Sequence, residues 1–195
     1  MSMQIALFPL HTVLFPGGTL SLRVFETRYI DMVRDCLRED RPFGVCLIRE
    51  GQEVGGNARP HEVGTLARIL DSGTRSDGLL GILTQGEQRF RILSLQDRPD
   101  KLLLGEIEPV ADKPEACGEP LAPLAGLLES LLAVDPERLP PVRWRLDDPV
   151  WVVYRLAERL PIRLVERQQV LDSDDIDSAL RVLREAVDRL GISLN

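Results

Sequence analysis

The sequence predicts an α+β protein: a small β-barrel with one helix inserted early, followed by a helical portion. Three observations carry this. Up to about residue 110 the chain is a series of short apolar or alternating runs separated by Gly-containing turns, about six or seven strands in all. One stretch within that series, Glu26 to Leu37, changes its apolar period from two to about 3.6. After a proline-rich stretch, every apolar pattern has helical spacing. The expected division is 1–112 for the barrel and 113–195 for the helices.

The first strand runs up to Pro9, which cannot donate to a ladder and limits pairing there. Pro16-Gly17-Gly18 sets a turn before a second strand from Leu20 to Val24. The helix follows, with Tyr29/Ile30, Val33 and Cys36/Leu37 on its core side. Glu39-Asp40-Arg41-Pro42 breaks the pattern. Phe43 to Ile48 is then a continuous apolar run, as in a buried strand. From Glu50 to His61 glycines, Asn57 and Pro60 replace apolar residues, the composition of an exposed loop. Val63–Leu70 and Leu79–Thr84 read as a hairpin around Asp71–Gly78. Gln85-Gly86-Glu87 reads as a further turn. Gln88 to Leu95 then alternates Phe90 and Ile92 against Arg89 and Arg91, a half-solvated strand, and Leu102 to Val110 adds the last.

Ala111 to Pro123 has the composition of a linker. Leu124, Leu127/Leu128 and Leu131/Leu132 then form a helical stripe. Asp135 to Pro141 is a break, and Asp147-Asp148-Pro149 caps a helix reaching Leu160. A short helix places Leu164, Val165, Gln168 and Leu171 together. The final one repeats Ile176, Leu180, Leu183, Val187 and Leu190, with Gly191 as its C-cap.

Composition narrows the function classes. The formal charge is −7, with 13 basic and 15 acidic side chains in residues 1–110 and 11 and 16 in 111–195. That balance argues against a protein that coats phosphate backbone. Cys36, Cys46 and Cys117 are widely spaced, with no Cys-x-x-Cys pair, which points to neither a disulfide framework nor a thiolate metal site and fits a reducing cytoplasm. The N-terminus lacks a basic leader, and no apolar run approaches the roughly 20 residues that span a bilayer. The expectation is a soluble cytoplasmic protein that binds no membrane.

Catalytic chemistry is hard to assemble from these residues. Neither Gly17-Gly18 nor Gly55-Gly56 is followed by the Lys of a phosphate-binding loop. His11 and His61 are the only histidines and have no partner at metal-ligand spacing. A Ser-Lys pair would need Lys101 or Lys113, each in a polar segment that does not desolvate an ammonium. No enzyme, no cofactor and no metal are expected. Acidic clusters such as Asp172 to Asp177 read as helix caps. Trp144 and Trp151 read either as cover for the junction between barrel and helices or as a binding anchor. Arg23, Arg28, Arg89 and Arg91 read as solvated faces or as partners of Glu26 and Glu87, with capture of a ligand carboxylate as the alternative.

Six motifs in order carry a resemblance: Phe8-Pro9-Leu10, Leu14-Phe15-Pro16-Gly17, Phe25-Glu26-x-Arg28-Tyr29, Phe43-Gly44-Val45, Val63-Gly64-Thr65-x-Ala67-Arg68-Ile69 and Gly86-x-x-Arg89-Phe90-Arg91-Ile92. Together they resemble the N-terminal substrate-binding domain of the Lon protease, and Leu156-Ala157 through Leu171 with the final helix resembles its helical portion. The resemblance implies a PUA-like barrel followed by a helical subdomain. In the full protease an ATPase and a Ser-Lys peptidase domain follow. This chain carries no Walker loop before Asn195, so the expectation is a stand-alone protein.

The implied partners are unfolded or tagged polypeptides or a partner protein, bound without cleavage, in the manner of an adaptor or regulator in protein quality control. The candidate binding residues are Phe25, Glu26, Arg28, Tyr29, Arg89 and Phe90, with Trp144 and Trp151 added on aromatic character alone. The alternative is RNA binding, which other PUA-like barrels perform and which the acidic balance disfavours.

Overall fold

The computed structural model describes residues 2–55, 57–111, 120–134 and 144–193. Its contacts cluster into two units, Met1–Asp112 and Lys113–Asn195. The first holds β1 (Met3–Leu10), β2 (Thr19–Val24), α1 (Thr27–Glu39), β3 (Phe43–Glu50), β4 (Arg59–Pro60), β5 (Val63–Thr74), β6 (Leu80–Asp97) and β7 (Leu103–Pro109). The second holds α2 (Ala122–Val134), α3 (Pro149–Arg159), α4 (Leu164–Asp172) and α5 (Ile176–Arg189). The class is α+β with a barrel-like sheet.

The sheet runs β1-β7-β6-β5-β3-β4, and β1 also pairs with β3 in parallel, so five strands lie in a ring of pairings. Alternation along β1 builds two apolar layers from one strand. Ile5 and Leu7 join Cys46, Leu66, Phe90, Leu103 and Ile107 on one side. Ala6, Phe8 and Leu10 join Tyr29, Met32, Val33 and Cys36 of α1 on the other. Pairing of β1 with β7 stops at Leu7, ahead of Pro9. Close packing in the first layer explains two glycines. A Cβ at Gly44 or Gly64 would lie 2.7 Å from the tip of the Phe90 ring.

Several expectations change. The Gln85-Gly86-Glu87 turn does not exist, because β6 is one strand of 18 residues through that point. Gly86 serves a close approach instead: a Cβ there would sit 2.2 Å from the Phe15 carbonyl oxygen. Its N–H donates to the Gly18 carbonyl at 2.8 Å, and its own carbonyl accepts from Gly17 N–H at 2.7 Å. The half-solvated reading of 88–95 also fails at Arg89, which is 2% exposed beside a Phe90 at 0%. The expected partnership of these arginines with Glu87 goes to Arg68.

The segment from 50 to 61 is not exposed throughout: Arg59–Pro60 pairs with β3, and Ala58 and Pro60 are buried. On α1, Leu37 is exposed and Met32 takes its place in the core, since the inward line runs through 29, 32/33 and 36. The tight turn holds as read, with Gly17 at φ 74 and Gly18 N–H donating to the Phe15 carbonyl.

In the helical unit, Leu124, Leu128 and Leu132 of α2 are fully buried, as are Leu180, Leu183 and Val187 of α5. Asp148 caps α3 by accepting the Trp151 N–H at 3.1 Å, and Asp175 caps α5 through Ser178 N–H at 2.7 Å. Leu164 and Val165 are exposed, against expectation; α4 buries Glu166, Gln168, Val170 and Leu171. Glu166 is held there by Arg163 and Arg189, at 2.9 and 2.8 Å. The greater part of the linker, the break at 135–141, Lys113 and Cys117 lie outside the described residues.

Candidate functional site

The junction between β2 and α1 is built by the motif Phe25-Glu26-Thr27-Arg28-Tyr29. Glu26 is the N-cap residue, with extended φ −79 and ψ 131, and its carbonyl accepts from Tyr29 N–H at 2.9 Å and Ile30 N–H at 3.0 Å. The helix thus begins at Thr27, two residues after Phe25, which has no place in either the strand's ladder or the helix. Phe25 is 56% exposed.

Behind it lies a fixed cluster. Arg28 is buried, donates to the Glu26 carboxylate at 2.8 Å and to the Lys101 carbonyl at 2.6 Å, and sets its guanidinium 4.5 Å from the Tyr29 ring centroid. Lys101, read in the sequence only as a poor base, takes φ 64 and presents that carbonyl. Tyr29 stacks on Phe8 with centroids 3.9 Å apart and planes 17° off parallel. Burial pushes the Tyr29 phenol up to about 12, against the opposing pull of Arg28. It therefore stays protonated near neutrality and acts as a packing group.

Two depressions flank Phe25. One, of about 250 Å³, is lined by Phe8, Leu10, Leu22 and Tyr29 together with Glu53 and Val54. The other, of about 420 Å³, is lined by Arg28, Asp31, Asp100 and Lys101. Phe25 and Glu26 border both. Glu53 accepts a hydrogen bond from His11 N–H, which anchors this end of the loop. Arg23, on the groove side of β2, is paired with Asp77. The arrangement offers an apolar slot with an aromatic ridge and carboxylates at its edge, suited to holding an apolar side chain.

The structure thus brings Phe25, Glu26, Arg28 and Tyr29 together. Arg89 and Phe90 line neither depression. Arg89 donates to the Ala111 carbonyl at 2.9 Å, and Phe90 is core, so a ligand would reach them only by opening the unit. Trp151 is half-buried in the first turn of α3, and Trp144 is 40% exposed just before it; both belong to the second unit. Sequence reasoning missed Leu10, Leu22, Glu53 and Val54. Val54 did carry a signal, as a large apolar residue within a polar Gly-rich loop, and it is 55% exposed.

The family model described as the ATP-dependent protease La (LON) substrate-binding domain matches residues 4–189. Lon protease 2 of Myxococcus xanthus is 28% identical over 188 residues, 92% of this chain and 22% of that protein. Lon protease of Escherichia coli K12 is 25% identical over 92% of this chain and 24% of its own length. The chain therefore spans about a quarter of the curated relatives it matches. Among solved structures, a Lon N-terminal domain protein from Xanthomonas campestris is 38% identical, with a TM-score of 0.78 over 94% of this chain and 98% of that one. The N-terminal domain of the Mycobacterium avium complex Lon protease matches in fold, with a TM-score of 0.68 at 20% identity.

Proposed function

The chain belongs to the ATP-dependent protease La (LON) substrate-binding domain family, and from that membership we propose that it is a polypeptide-recognition module acting without catalysis of its own, as an adaptor or regulator in protein quality control in the cytoplasm. One observation supports this reading most: the apolar slot beside an outward-facing Phe25, backed by the rigid Arg28–Tyr29–Phe8 cluster. An exposed aromatic over a preorganised apolar floor is the usual form of a binding hot spot.

In this reading Phe25 and Val54 are the anchors, Arg28 and Tyr29 hold the ridge in place, and Trp144 offers a separate aromatic contact on the helical unit. The unpaired cysteines Cys36 and Cys46 agree with a reducing compartment. No observation favours RNA.

The test is fluorescence anisotropy with labelled, cysteine-alkylated lactalbumin as an unfolded probe. Wild-type protein binds it, and Phe25→Ala weakens binding at least fivefold with an unchanged thermal midpoint. Equal binding by the variant refutes the placement of the site. No binding by either protein refutes polypeptide recognition.

A further inference from the structure

β2 is held along one edge only. Its six residues pair with β6, from Thr19 opposite Gln85 to Val24 opposite Leu80, and among the described residues no other strand pairs with it. The apolar groove touches four consecutive residues of this strand, Ser21 to Val24. Successive side chains of a strand point to opposite faces, so a groove meeting four in a row runs along the strand's edge, beside its main-chain N–H and C=O groups. An open strand edge is a template for another extended chain.

We infer that this edge of β2 takes an extended segment of the bound polypeptide as an added strand, with its alternate side chains in the apolar groove. This deepens the polypeptide-recognition reading and rests on it. Charge selects the segment. Of the ionised groups on the groove, Arg23 is matched by Asp77 and Glu26 by Arg28. Glu53 accepts only a main-chain N–H and forms no ion pair among the described residues. One negative charge is therefore left beside an apolar floor. The segment that fits has apolar residues at every second position and a lysine or arginine whose long side chain reaches Glu53 at the groove's border. At about 3.3 Å per residue, the six-residue edge spans about 20 Å and pairs with a similar number of residues.

The probe is an end-capped, fluorescein-labelled octapeptide of alternating valine and lysine, with two isomers N-methylated either at every valine or at every lysine. Each isomer blocks one edge of the extended peptide. Binding of the parent peptide, with loss of at least tenfold in one isomer only, supports strand addition, as does slowed amide exchange at 19–24 in the complex. Equal affinity of the two isomers overturns it, as does unchanged exchange in β2; polypeptide recognition then stands if alkylated lactalbumin still binds. Failure of the lactalbumin itself overturns both. Glu53→Gln keeps an acceptor for His11 and removes the charge. It weakens the lysine peptide at least threefold at low salt, and an unchanged affinity overturns the charge assignment.

Discussion

Tyr29→Ala and Phe25→Ala, four residues apart, separate packing from binding at the β2–α1 junction. Tyr29 is 4% exposed, and its ring has its centroid 3.9 Å from that of Phe8 and sits beneath the Arg28 guanidinium. Truncation removes a buried aromatic and leaves a cavity at the centre of the layer between α1 and the sheet, a change that costs about 3–5 kcal/mol. The stacking partner and the cation lose a further aromatic contact, which places Tyr29→Ala in the upper half of that range. For a unit of roughly 100 residues, each kcal/mol moves the midpoint by about 4–8 °C, so the expected loss is on the order of 15–40 °C. Phe25, at 56% exposure, already spends its ring in water, and its loss changes stability by about 0.5 kcal/mol or less.

Thermal unfolding followed by circular dichroism reads both variants, with Tyr29→Phe as the control that keeps the ring and stays within a few degrees of wild type. A Tyr29→Ala midpoint within about 3 °C of wild type, or a Phe25→Ala midpoint lowered by more than about 8 °C, would refute the division of roles.

Other sites make independent predictions. Gly86→Ala places a methyl 2.2 Å from the Phe15 carbonyl oxygen and disrupts the two Gly86 main-chain bonds to the turn, lowering stability by about 2–4 kcal/mol; the urea midpoint measures it. Hydrogen bonding from Arg163 and Arg189 holds the Glu166 carboxylate down at about 2, below its ordinary 4.5. Its contribution is complete above pH 4.5 and is lost as pH falls toward 2, so Glu166→Gln flattens the acid limb of stability against pH and leaves the neutral limb unchanged in slope. Asp148→Ala removes the acceptor for the Trp151 N–H at the start of α3 and costs about 1 kcal/mol by urea denaturation. Burial raises the Cys46 thiol far above its ordinary range, so maleimide labelling at Cys46, read by peptide mass spectrometry, proceeds only as fast as the unit opens.

Local rules determined much of this protein in advance. The strand-to-helix order, the Pro16-Gly17-Gly18 turn, the Asp148 and Asp175 caps and the stripes of α2 and α5 all depend on residues within a few positions of one another. The motif 25–29 was legible as a joint for the same reason, and also as the place to look for a site. Sequence could not tell what each of its residues does, because Tyr29 faces Phe8, 21 residues earlier, while Arg28 reaches a carbonyl 73 residues later.

Gly86 shows the same limit from the other side. A glycine between polar residues reads as a turn, yet here it removes a Cβ that would strike a carbonyl from a segment about 70 residues away, and the strand continues through it. Arg89 alternates as a solvent-facing residue should and is buried nonetheless, because both faces of β6 are covered at that point and its guanidinium meets the Ala111 carbonyl. The groove is the clearest case. Its walls come from β1, β2, α1 and the 50s loop, and its edge is open because, among the described residues, β2 pairs with β6 alone. Periodicity reports which face of a segment is apolar; which edge remains unpaired is a property of long-range pairing, so only the tertiary structure decided it.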